Sequence, residues 1–151
     1  PMIHLTAGAL HTCGLTQGGA ITCWGTEDNE RLQAPSGTYL AVEAGREHTC
    51  AIRSSDRAVL CWGNNHQNQS EVPDNTTADA LGPGAEHTCV LHEDGTLTCW
   101  GSDADDQASP PEQTFSSIDG GWRHGCGLTT AGDIACWGYN KYDQSQPPTQ
   151  R

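Results

Sequence analysis

The segment Ala44-Gly45-Arg46-Glu47-His48-Thr49-Cys50-Ala51-Ile52, followed by Cys61-Trp62-Gly63 and then by Gln69 and Pro73, decides the fold because it recurs. Gly-x-x-His-x-Cys stands at Gly8/His11/Cys13, Gly45/His48/Cys50, Gly84/His87/Cys89 and Gly121/His124/Cys126. Cys-Trp-Gly follows at Cys23–Gly25, Cys61–Gly63, Cys99–Gly101 and Cys136–Gly138. A proline lies eleven residues past each of these tryptophans, at Pro35, Pro73, Pro111 and Pro148. Successive tryptophans are 38, 38 and 37 residues apart, which divides the chain into units 3–40, 41–78, 79–115 and 116–151. A repeat of this period is a supersecondary unit that buries its apolar face only by stacking on its neighbours.

Aliphatic columns keep the same register. They are Leu5, Val42, Leu81 and Ile118 before the first Gly; Leu15, Ile52, Leu91 and Leu128 after the first Cys; and Ile21, Val59, Leu97 and Ile134 before the second Cys. Around the cysteines the alternation has period two, which predicts strands and not helices. His11, Cys13 and Leu15 then share one face, while Trp24 points opposite to Cys23. Gln17-Gly18-Gly19, Ser54-Ser55-Asp56, Glu93-Asp94-Gly95 and Thr130-Ala131-Gly132 read as hairpin turns. The segment after each Trp is rich in Asn, Asp, Gln, Ser and Pro and reads as a polar loop. Four such sheets predict an all-β chain, a β-propeller of four blades of about 38 residues.

Eight cysteines with none left over predict four disulfides. Two regular schemes exist: Cys13 with Cys23 inside the unit, or Cys23 with Cys50 of the next. Hairpin geometry favours the first, because Cys13 and Cys23 are equidistant from the turn at Gly18, as Cys89 and Cys99 are from Asp94; Cys50–Cys61 and Cys126–Cys136 follow. Disulfides place the chain in an oxidising compartment: secreted, periplasmic or cell-surface. No Cys-x-x-Cys occurs, so structural zinc is not expected, and no metal or cofactor is assigned.

Charge narrows the partners. With 7 basic against 19 acidic residues the net charge is −12, which argues against nucleic acid. No apolar run is long enough for a transmembrane helix. No basic leader with an apolar stretch opens the sequence, so no signal peptide is expected within it.

The residues quoted at the outset resemble the regulator of chromosome condensation repeat. They are most similar to its short, secreted bacterial form, which includes the propeller-type β-lactamase inhibitory protein. The resemblance covers nearly the whole chain. It implies a propeller, usually of seven blades, serving as a rigid binding platform. The sequence departs from the family in having four units. Where family members usually carry Gly before the loop Gln, it has Glu30, Asn68, Asp106 and Asp143, and Arg31 stands where the other units have Gln69, Gln107 and Gln144. Four blades can close alone, pair with a second copy as an eight-bladed homodimer, or belong to a larger propeller.

Repeated residues read as packing. The four His of the motif are expected to satisfy a backbone group at each blade corner, and the four motif Trp to pack between blades. Asp103, Asp105 and Asp106 suggest a calcium loop less than a solvated acidic one. Function is sought where units differ. Arg46, Glu47, Trp122 and Arg123 occupy the corner after the Gly, and Tyr139, Asn140 and Tyr142 follow the fourth Cys-Trp-Gly. Trp and Arg are the residue types most enriched at binding hot spots. No catalytic residues are identified, since the chain lacks a nucleophile elbow, a His-Glu-x-x-His helix and a phosphate-cradling loop. The chain therefore reads as a non-enzymatic recognition module for a protein, with a glycan ligand bound at or between blade loops as the alternative.

Overall fold

A computed structural model describes residues 1–148, so the last residues of the fourth unit lie outside the described part. The chain is all-β, with twelve strands in four three-stranded antiparallel sheets. The first sheet holds β1 (Met2–Ala7), β2 (His11–Thr16) and β3 (Ile21–Gly25). The second holds β4 (Tyr39–Ala44), β5 (His48–Arg53) and β6 (Val59–Gly63). The third holds β7 (Ala80–Pro83), β8 (His87–Leu91) and β9 (Leu97–Gly101), and the fourth β10 (Phe115–Gly120), β11 (His124–Thr129) and β12 (Ile134–Gly138). Each sheet is a blade of the propeller, with its strands in chain order.

The cysteines pair across each hairpin: Cys13 faces Cys23, Cys50 faces Cys61, Cys89 faces Cys99 and Cys126 faces Cys136. All four pairs are disulfide-bonded. Four bridges point to an oxidising compartment. The same register puts Thr12 opposite Trp24, Thr49 opposite Trp62 and Thr88 opposite Trp100. Each of these three hairpins therefore shows Thr and Trp on one face and His, Cys and Leu or Ile on the other.

Stacking joins the second face of one blade to the first face of the next. Val42 and Trp62 pack on Cys13 and Leu15, Leu81 and Trp100 on Cys50 and Ile52, and Trp137 and Phe115 on Cys89 and Leu91. Phe115 meets Trp137 edge to face at 5.8 Å. Each of these three indoles donates to a carbonyl of the preceding blade's loop: Trp62 to Arg31, Trp100 to Gln69 and Trp137 to Gln107. Strand contacts run from first to second, second to third and third to fourth sheet, with no comparable contact between fourth and first. The blades form an open arc. The expectation that all four motif tryptophans pack between blades is met at Trp62, Trp100 and Trp137, whereas Trp24, on the outer face of the first of these sheets, is 47% exposed.

Two backbone details explain sequence departures. Glu30, Asn68, Asp106 and Asp143 all have φ near +60°. This is the left-handed region that favours Gly and tolerates Asn and Asp, but disfavours Glu. The second hairpin contains no Gly, and Arg57, one residue past the expected Ser54–Asp56 turn, takes the positive φ there. One residue past the left-handed Asn68 and Asp106, the Gln69 side chain accepts the Gln67 amide and that of Gln107 accepts the Asp105 amide. Arg31 is equally buried but has no acceptor to offer, so it donates to the Asp28 carbonyl and carboxylate instead.

Glu30→Gly is expected to stabilise the chain by about 1 kcal/mol in urea denaturation, because it relieves a left-handed non-Gly residue. An equal or lower midpoint would contradict this. Loss of one bridge in Cys50→Ala/Cys61→Ala is expected to lower stability by about 3 kcal/mol in the same assay.

Candidate functional site

The corner turns of the four blades meet at the arc's axis. Ala7–Ala9, Ala44–Arg46, Pro83–Ala85 and Gly120–Trp122 line one open concavity of about 400 Å³. Main-chain bonds align these corners: Ala9 N–H donates to the Arg46 carbonyl, Arg46 N–H to Gly84 and Ala85 N–H to Trp122. The Gly-x-x-His spacing has a steric cause. A Cβ at Gly8, Gly45, Gly84 or Gly121 would collide with the imidazole three residues on. The concavity is thus floored by Gly, Ala and Pro, and its large side chains are Arg46 and Trp122.

The imidazoles sit behind this floor. His11 Nε2 meets Thr49 Oγ1 at 2.7 Å and His48 Nε2 meets Thr88 Oγ1 at 2.8 Å. The expected backbone partner is therefore replaced by a threonine hydroxyl of the next blade. The fourth blade breaks the series, because Gly125 stands where Thr would be. A Cβ there would strike the Trp137 ring, and His87 is left without a partner on either ring nitrogen. Burial, followed by the charge of neighbouring His87 and His11, lowers His48 to about 3. Burial, followed by the charge of His124, lowers His87 to about 4. Burial and then the Arg31 charge lower His11 as well. Neutral and shielded, and in His11 and His48 also hydrogen-bonded, these rings serve the stack. Among the described residues no three His, Cys, Asp or Glu side chains form a metal-binding group.

The variable residues fall into two clusters. The Arg46 guanidinium lies 5.6 Å from the centre of the Trp122 ring, spanning second and fourth blades across the concavity. Trp122 is 67% exposed, and Arg46 is exposed too. Arg123 turns away from its neighbour Trp122. It lies 5.1 Å from the Tyr139 ring and pairs with Asp105. Tyr139 meets Tyr142 edge to face at 6.3 Å.

The other two candidates organise loops. Glu47 accepts the Asn64 amide at 2.9 Å. Asn140 accepts the Ser145 amide, as Asn65 accepts that of Ser70 and Asp103 that of Ala108. Asp103 also accepts the Ser109 hydroxyl, so Asp103 and Asp105 are engaged separately. Sequence reasoning missed Asp105 as the anchor of Arg123, since no repeat column marks it. It also missed the Thr column, although His-Thr-Cys in three units carried that signal.

Four segments of the chain, 2–33, 40–69, 84–107 and 115–144, match the Regulator of chromosome condensation (RCC1) repeat. No curated protein matches the chain in sequence comparison. Among solved structures, the ectodomain of the Physcomitrella patens receptor kinase CR4 is similar, with a TM-score of 0.79 and 30% identity over 91% of this chain and 39% of that one. The CRINKLY WD40 ectodomain of the Arabidopsis thaliana receptor kinase ACR4 gives 0.74 and 27% over 91% and 50%. Prp20p of Saccharomyces cerevisiae gives 0.81 and 18% over 92% and 45%, a likeness of fold alone. The chain spans half or less of each of these neighbours.

The pH dependence of stability follows from the imidazoles. His48 and His87 stay neutral in the folded chain, whereas in the unfolded chain they take up protons below about 6.5. Their stabilisation is complete above that value and is lost progressively as pH falls toward about 4 and then about 3. Calorimetry is expected to show a steadily falling melting midpoint over this interval, with a flatter slope in His48→Gln. A flat wild-type profile would contradict neutral buried rings.

Proposed function

Because the chain belongs to the regulator of chromosome condensation repeat family, we propose that it is a non-catalytic recognition module. It binds another protein through the axial face of its blades, in an extracellular setting. One observation carries the reading. Arg46 and Trp122, both at positions that vary between units, come together across the concavity as an exposed cation–π pair 5.6 Å apart. An aromatic ring and a guanidinium beside a small-residue floor can anchor a partner side chain. The second cluster, Arg123 with Tyr139 and Tyr142, extends the same variable set through the fourth blade. In a chain of net charge −12, Arg46, which forms no ion pair among the described residues, offers local positive charge for an acidic group, whereas Arg123 is paired with Asp105. The extracellular setting is supported by the four disulfides and by likeness to two receptor-kinase ectodomains.

A glycan ligand is the second reading, favoured by the exposed Tyr142 beside Tyr139. Those aromatics belong to one unit: the first has Thr26-Glu27-Asp28 and the third Ser102-Asp103 at the same place. Equivalent sugar sites in every blade therefore lack a common residue set there.

Immobilised protein presented with native extracellular fluid, beside a glycan array, tests the proposal. One protein partner is expected, with Trp122→Ala or Arg46→Ala weakening its binding by about thirtyfold. Retained binding in both variants would overturn the axial site. Glycan binding that depends on Tyr142 and not on Trp122 would overturn the protein reading in favour of the second.

A further inference from the structure

Two triplets of the form Asn-x-Ser/Thr, the acceptor sequence for N-linked glycans, stand between β6 and β7: Asn68-Gln69-Ser70 and Asn75-Thr76-Thr77. The fold treats them differently. Asn68 is exposed, but the next residue, Gln69, is only 2% exposed. The Gln69 carbonyl accepts the Trp100 indole N–H and the Thr88 hydroxyl, and its side chain accepts the Gln67 amide and donates to Asn64. The Ser70 hydroxyl donates to the Asn64 carbonyl at 2.8 Å. Drawing this triplet out into an enzyme cleft would pull apart the junction between second and third blades. Asn75 and Thr77 are both exposed. Pro73–Thr76 form a turn closed by the Thr76 N–H, which donates to the Pro73 carbonyl at 3.3 Å, and Asn75 takes φ 60° in it. Asn is one of the few residues besides Gly that accept this backbone. Bonds in the segment use the Thr76 hydroxyl, which donates to the Pro73 carbonyl, and the Thr77 carbonyl, which meets His92 Nδ1 at 2.7 Å. The Asn75 amide and the Thr77 hydroxyl stay free among the described residues. The Thr76 carbonyl accepts the Val59 N–H at the start of β6, the opposite end of the blade from Gly63 and the axial corner.

We propose that Asn75 is the acceptor of an N-linked glycan and that Asn68 is not. The inference rests on the extracellular setting proposed above, because the glycan is transferred in the same lumen in which secreted chains form their disulfides. The co-reactant is a polyprenyl-diphosphate-linked oligosaccharide held by a membrane transferase. The side-chain nitrogen of Asn75 attacks the anomeric carbon of the first sugar. The carbon–nitrogen bond forms as the carbon–oxygen bond to the diphosphate breaks, the amide nitrogen gives one proton to a base of the enzyme, and polyprenyl diphosphate leaves. The Thr77 hydroxyl is the group that the transferase reads two residues beyond the acceptor. The finished glycan stands on the flank between second and third blades, at the end of the blade away from Arg46, so the axial concavity stays open for its partner.

Secretion of the full chain from a eukaryotic host behind a cleavable leader tests this, with mass spectrometry of the intact protein and its peptides before and after peptide N-glycosidase F. A mass above the 16.1 kDa of the chain is expected, falling back on treatment with the enzyme and leaving aspartate at position 75 and asparagine at 68. Asn75→Asp, which suits the same left-handed backbone, and Thr77→Ala should each abolish the added mass. Thr77→Ser and Asn68→Asp should retain it. A secreted chain with bare Asn75, a glycan on Asn68, or a glycan on Asn75 that survives Thr77→Ala would overturn the proposal. The thiol count of the same sample decides the extracellular setting separately: it stands if no thiol is free and falls if the secreted cysteines remain reduced.

Discussion

The junction between consecutive blades is the constraint on which the structure depends. A three-stranded sheet of this size has two apolar faces and cannot bury either alone. Each face must therefore meet a neighbour, and its polar groups must find partners in the same contact. The chain solves both requirements with a few columns. An indole covers the preceding disulfide hairpin while its N–H satisfies a loop carbonyl, as Trp100 does with Gln69. A neutral imidazole reaches the next blade's hydroxyl, as His48 does with Thr88. A buried imidazole left unpaired is costly, which makes the His–Thr column as much a part of the stack as the aliphatic ones.

Most of this was legible in the sequence, because repetition turns a single ambiguous pattern into four registered ones. Period-two alternation gave the hairpins, and equidistance from the turn at Gly18 gave the partner of Cys13. Contacts between units were harder to read. Nothing local to His11 says that its partner is Thr49, thirty-eight residues away, and not a backbone group of its own corner. Trp24 carries the same motif as Trp62, yet its environment depends on whether a blade precedes it. The positive φ of Arg57 was hidden because no Gly marks it, whereas Glu30, Asn68, Asp106 and Asp143 were legible as one column, whose shared positive φ the structure supplies.

The candidate site was legible only as a set of exceptions. Positions that vary in a column otherwise fixed by packing are free to serve something else, and this singled out Arg46 and Trp122 without placing them together. The axial convergence of the corners makes them neighbours across two blades. At Glu47 and Asn140 the same reasoning selected side chains that accept the Asn64 side-chain amide and the Ser145 backbone amide. Variation in a repeat marks candidates, and hydrogen bonding then separates those that build the scaffold from those left facing outward.

Exchange of the indole protons with solvent, followed by nuclear magnetic resonance, tests the junction most directly. Protons of Trp62, Trp100 and Trp137, each bonded to the preceding blade's carbonyl, should persist long after that of the exposed Trp122 has exchanged. If all of them exchanged at the rate of Trp122, the blades would not be stacked as described.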